Sequence, residues 1–107
     1  MFKLTNLRTA LVATVICACG SIHAQNGLSD PMTQAMMEVY EQELAANPKA
    51  YDIYFRRANE YYKFDQYLRA LSDVDNAIKY TPAEDTDMLF ECHTLRGEIY
   101  QMLGKHA

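Results

Sequence analysis

An all-α fold of short antiparallel helix pairs is what this sequence predicts, and three observations predict it. Residues 51–82 carry a spaced set of bulky and small side chains: Tyr54, Ala58, Tyr61, Ala70, Val74, Ala77 and Pro82. His93, Gly97, Tyr100 and Gly104 begin a second copy 39 residues later. No segment alternates apolar and polar residues for long enough to suggest a strand, so no sheet is expected. Repetition at such a period defines an architecture before any local assignment is made. Ala58 and Gly97 are expected where a partner helix comes close and only a small side chain fits. Tyr54 and Tyr61 are the matching bulky residues.

The elements follow in order. Lys3 and Arg8 give a basic start, and 10–19 is apolar apart from Thr14. Ser21-Ile22-His23-Ala24 then precedes Gln25. This order predicts a secretory signal peptide, 1–24, cleaved after Ala24. The apolar run is well short of the ~20 residues that a membrane-spanning helix needs. A second reading is a lipoprotein signal, since Ile16-Cys17-Ala18-Cys19 loosely resembles a lipobox ending at Cys19. Residues 25–29 read as a linker, and 30–107 as the helical domain. Asp30-Pro31 opens its first helix, with Asp30 as N-cap and Pro31 in the first turn. Met36, Met37, Tyr40 and Leu44 recur at helical spacing. Asn47-Pro48 ends that helix, because proline disfavours helix at the residue before it.

The second helix is expected over 50–64, with Tyr54, Ala58 and Tyr61 as its packing stripe, and Asp65-Gln66 as the turn. The third runs over 67–80, with Ala70, Leu71, Val74, Ala77 and Ile78 forming a wide apolar face. Thr81-Pro82 closes it, and a polar loop over 83–87 follows. The fourth helix is expected over 86–103, after which Gly104 would turn the chain and 105–107 would begin a fifth. Leu95, Ile99, Tyr100 and Leu103 would then lack a cover.

These residues resemble the tetratricopeptide repeat family, a helix-turn-helix unit of 34 residues. The family's small-residue positions fall on Ala58, Ala70 and Ala77. Its aromatic positions fall on Tyr54, Tyr61 and Tyr67, with Val74 departing to a smaller apolar residue, and its proline falls on Pro82. Arg57-Ala58…Tyr61 and Arg96-Gly97…Tyr100 share one string. The match covers 51–84 as one repeat and 90–107 as a partial repeat. Residues 30–48 resemble only the second helix of a preceding repeat, with Met36, Tyr40 and Pro48 in register and Glu43 where alanine is usual. The resemblance implies a short α-solenoid of about one and a half repeats plus a leading helix. One repeat cannot bury its apolar face alone. The chain is therefore expected to belong to a longer array continuing beyond Ala107, or to be completed by a partner, including self-association through the uncovered last helix.

Composition narrows the function. Removing Lys3 and Arg8 leaves 8 basic residues against 14 acidic, a net charge of −6. That balance disfavours nucleic acid and anionic membranes as partners. The mature chain would have no membrane span. Cys92 would be its single thiol, so no internal disulfide is expected. No catalytic motif is present, so no enzyme activity and no cofactor are expected. The carboxylates of Asp73 and Asp75 point to different sides of a helix and are expected on a solvated face. Cys92 and His93 are adjacent and diverge by about 100°, and no further ligands stand at useful spacing, so no metal site is expected. Met36 and Met37 are expected to be packing residues.

Binding is the expected function. In the family the first helix of each repeat lines a concave groove. Carried over, this implies Asp52, Phe55, Asn59, Tyr62 and Lys63 in one copy. In the next copy it implies Glu91, Thr94, Glu98, Gln101 and Met102. Asn59 can bond an extended backbone, and Phe55 and Tyr62 offer stacking surface. The family's clamp for chaperone carboxyl termini resembles this at Asn59 but needs a lysine where Phe55 stands. Glu91 and Glu98 would repel a carboxylate, so a basic or aromatic segment is the expected ligand. The expectation is an exported, non-catalytic scaffold that binds another protein, in the periplasm of a Gram-negative cell or outside it. The alternative is an accessory subunit, lipid-anchored at Cys19, that captures a peptide or glycan for an outer-membrane transport system.

Overall fold

The computed structural model describes residues 28–106; the expected signal segment and the first linker residues lie outside them. Among the described residues four helices follow one another: α1 (Pro31–Ala46), α2 (Tyr51–Lys63), α3 (Tyr67–Tyr80) and α4 (Thr86–His106). No strand occurs among the described residues, and the fold is all-α. The chain divides into two compact units between Gln34 and Ala35, inside α1. In the first unit Asp30 caps α1 as expected. Its carboxylate accepts from the Thr33 N–H at 3.1 Å, which satisfies a donor that has no partner within the helix.

In the second unit α2 and α3 form an antiparallel pair. Tyr54, near the start of α2, stacks on Tyr80 at the end of α3 with ring centroids 6.0 Å apart. Tyr62, near the end of α2, meets Tyr67 at the start of α3 edge-on at 5.8 Å. Between them Ala58, Ala70, Val74 and Ala77 are fully buried. Their small volumes let two backbones approach where larger side chains would not fit. The turn uses Asp65 in the left-handed region at φ 63°. The Gln66 N–H reaches the Tyr61 carbonyl at 2.8 Å and the Asp65 N–H reaches Tyr62 at 3.1 Å. That double bond pattern closes the last turn of α2 on its own carbonyls.

α4 lies antiparallel to α3. Cys92, Leu95 and Ile99 are buried in the same cluster as Val74, and Met88 and Leu103 pack against it. These five recur every three or four residues, one stripe of a helix. Leu95 and Ile99, expected to lack a cover, are therefore buried, and Leu103 is half-buried against the same cluster. Tyr100 alone of that group is exposed. Asp85 starts α4, its carboxylate accepting from the Met88 N–H at 3.2 Å.

Three expectations need correction. Gly104 does not turn the chain, because α4 continues to His106. Gly97 does not touch a partner helix: a Cβ there would meet nothing within 4 Å. α3 meets α4 along the Cys92–Ile99 stripe, and Gly97 stands on a different side of the helix. Asp73 is not on a solvated face. It is buried and bonded through both oxygens to Arg57, at 2.7 and 2.8 Å. Residues 35–46 of α1 bring no Cα within 8 Å of α2, α3 or α4. Leu44 is buried, Met36, Met37 and Tyr40 are half-buried, and Glu43 is exposed.

Candidate functional site

Because α2 and α4 are both antiparallel to α3, they run parallel to each other. The seam between them holds an open cleft of about 200 Å³. Phe55 and Asn59 line it from α2, one turn apart. Phe90, Glu91, Thr94, Leu95 and Glu98 line it from α4, and no α3 residue takes part. Leu95 belongs to the buried core, whereas Phe90 stands 72% exposed. The cleft thus has an apolar base, an aromatic on either side and two carboxylates.

Five residues inferred from the repeat resemblance line this cleft: Phe55, Asn59, Glu91, Thr94 and Glu98. Asp52, Tyr62, Lys63, Gln101 and Met102 do not. The α4 lining runs from 90 to 98, about 12 Å at 1.5 Å per residue. The other five sit about one turn beyond it at either end. Asp52 is exposed in the first turn of α2, where a negative charge suits the helix dipole. Tyr62 is engaged with Tyr67, and Lys63 bonds Glu60 at 3.1 Å. Gln101 is exposed and Met102 half-buried. Phe90 and Leu95 were not anticipated. The signal for Phe90 was available, since Phe90, Thr94 and Glu98 form one i, i+4, i+8 ridge.

Two polar side chains of the cleft are tied down locally. Asn59 donates from Nδ2 to the Phe55 carbonyl at 3.1 Å. Thr94 donates from Oγ1 to the Phe90 carbonyl at 2.8 Å. Each keeps capacity for a ligand: Asn59 an amide oxygen and a second N–H, Thr94 its hydroxyl lone pairs. Arg57 and Arg96 lie outside the cleft. Arg57 holds Asp73, and Arg96 reaches Asp75 at 3.2 Å. Asp73 and Asp75 diverge by about 200° on α3, so one serves α2 and the other α4. The Asp73 bonds hold the Arg57 guanidinium above its already high pKa.

The Cys92 thiol is fully buried. Burial, with the charges of Glu91 and Asp85 adding to it, pushes its pKa up to about 11. A thiol so protonated is a packing group and a poor nucleophile. Among the described residues no group of three His, Cys, Asp or Glu side chains is placed to hold a metal ion. No helix among them is long and apolar enough to cross a membrane. Comparison of the chain with protein-family models, curated proteins and solved structures found no match.

Proposed function

We propose that this chain is an exported repeat protein of the tetratricopeptide type that holds a segment of another protein between α2 and α4, without making or breaking bonds. One observation carries the reading. Two parallel helices, braced by the same third helix, present Phe55, Asn59, Glu91, Thr94 and Glu98 to one cleft. An apolar base with a few polar groups of spare hydrogen-bonding capacity suits a peptide. The small-residue pairing of Ala58 with Ala70 and Ala77 supports the family resemblance. The basic, apolar and small-residue order of 1–24 supports export to the periplasm or beyond.

The cleft is tested by substitution. A partner that copurifies with the chain from the envelope fraction should be lost on combining Phe55→Ala with Thr94→Arg. It should be retained with Leu68→Ala, which changes an exposed apolar residue of α3 outside the cleft. The opposite pattern would move the binding surface elsewhere. Export is tested by mass spectrometry of the mature amino terminus. Free or cyclised Gln25 supports the reading, and a diacylglyceryl Cys19 replaces it with lipid anchoring.

A further inference from the structure

The two acids that line the cleft differ from the three acids of the second unit that are bonded to a basic side chain. Asp73, Asp75 and Glu60 are bonded to Arg57, Arg96 and Lys63. Glu91 and Glu98 are exposed on the cleft wall, and neither carboxylate has a bonded cation among the described residues. The two stand seven residues apart on α4. Seven residues advance about 10.5 Å and return within about 20° of the same direction. They therefore form a pair of negative points along one wall, with Thr94 between them and Phe55 and Asn59 opposite.

From this spacing we infer that the cleft selects an extended, cationic segment carrying two basic residues three positions apart. The inference rests on the cleft being the binding surface. In a polyproline II segment the chain rises about 3.1 Å per residue with three residues per turn. Residues i and i+3 then share one face about 9.3 Å apart, close to the separation of the two carboxylates. The two residues between them diverge by about 120°, so one of them turns toward Phe55 and the apolar base and is apolar. A helix is the wrong occupant, because its backbone has no free groups for Asn59 and Thr94, whereas the polyproline II backbone is unpaired throughout.

The test titrates synthetic peptides into the isotope-labelled full chain and follows its amide NMR signals. The probe is a proline-flanked Lys-Pro-Leu-Lys peptide. Its comparisons replace both lysines by glutamine, place them side by side, or set them seven apart on a helical peptide. The probe should shift signals of α2 and α4 around the cleft and bind several-fold tighter than each comparison. Glu91→Gln and Glu98→Gln should each weaken it by about two- to five-fold. Its advantage should fade from about 0.05 M to about 0.5 M salt, as screening of exposed charges requires. Equal binding of the glutamine peptide, unaffected by either substitution but lost with Phe55→Ala, overturns the cationic selection and leaves the cleft as the binding surface. Tighter binding of the helical peptide overturns the extended conformation. Shifts confined to residues away from α2 and α4, or none with any peptide at millimolar concentration, overturn the inference. If the copurifying partner is then also kept by the Phe55→Ala, Thr94→Arg variant, the cleft reading goes as well.

Discussion

The Cys92 thiol and the Asp73 carboxylate are both buried, and only one of them has a charged partner. Cys92 is held as the neutral thiol by burial, with a pKa of about 11. The unfolded thiol titrates near ~8.5. The folded chain therefore binds that proton more tightly. The stabilising contribution is complete below about 8.5 and fades as pH rises toward about 11. Urea melts should show the advantage of the wild type over Cys92→Ala shrinking across that window. Alkylation of Cys92, mapped by mass spectrometry apart from Cys17 and Cys19, should track unfolding at pH near 8; fast alkylation of the native chain would place the thiol at the surface. Asp73 depends on Arg57. Arg57→Met strands a buried carboxylate and should cost about 3–5 kcal/mol, most of it recovered by adding Asp73→Leu. Arg96→Met should cost about 0–1 kcal/mol, because Asp75 is 49% exposed in its side chain and its pair is screened. Equal losses at the two arginines in chemical melts would contradict this division.

Helix boundaries are decided by local backbone chemistry. The Asp30 cap and the Asn47-Pro48 stop were legible, because each acts through its own residue type. Here the Asn47 side chain also accepts from the Lys49 N–H at 3.2 Å. The Asp65-Gln66 turn was legible in place but not in form. Nothing local says that a non-glycine residue takes φ 63°. Its Oδ1 accepts from the Tyr67 hydroxyl at 2.8 Å, and the bonds from Asp65 and Gln66 back to Tyr62 and Tyr61 lock the turn. Asp65→Val, β-branched and poorly suited to this region, should destabilise by about 1–2 kcal/mol. Asp65→Gly should be much milder, since glycine adopts it freely. Thermal melts in which valine and glycine behave alike would argue against the left-handed turn. The end of α4 was misread, because an isolated glycine costs a helix only about 1 kcal/mol, which the preceding five turns of helix can absorb.

Across the whole molecule, one repeat position has two fates. Ala58 is sealed between α2 and α3, while its counterpart Gly97 faces open space on α4. Ala58→Leu should overpack the pair and cost about 1–3 kcal/mol. Gly97→Ala should raise stability by about 1 kcal/mol through helix propensity alone. Urea melts give both signs in one experiment. A loss at Gly97→Ala would show that another surface seats against that face in solution, and sedimentation at increasing concentration would then tell whether a second copy supplies it. The same contrast marks how far the repeat pattern carries. It identifies which residues belong to a pairing face, and it is silent on whether a partner helix arrives there.

Residue types and their spacing determined the helices and the small-residue face of the 51–80 pair, and the repeat resemblance that they carry implied five of the residues that meet in the cleft. Those features are local, since a 3.6-residue period and the size of a side chain are properties of one segment. Tertiary structure decided the rest: that Asp73 pairs inward while Glu91 and Glu98 are left facing the cleft, that Phe90 joins it, and that Gly97 has no neighbour. Each of these depends on which segment lies opposite, and a helix face does not encode its own occupant.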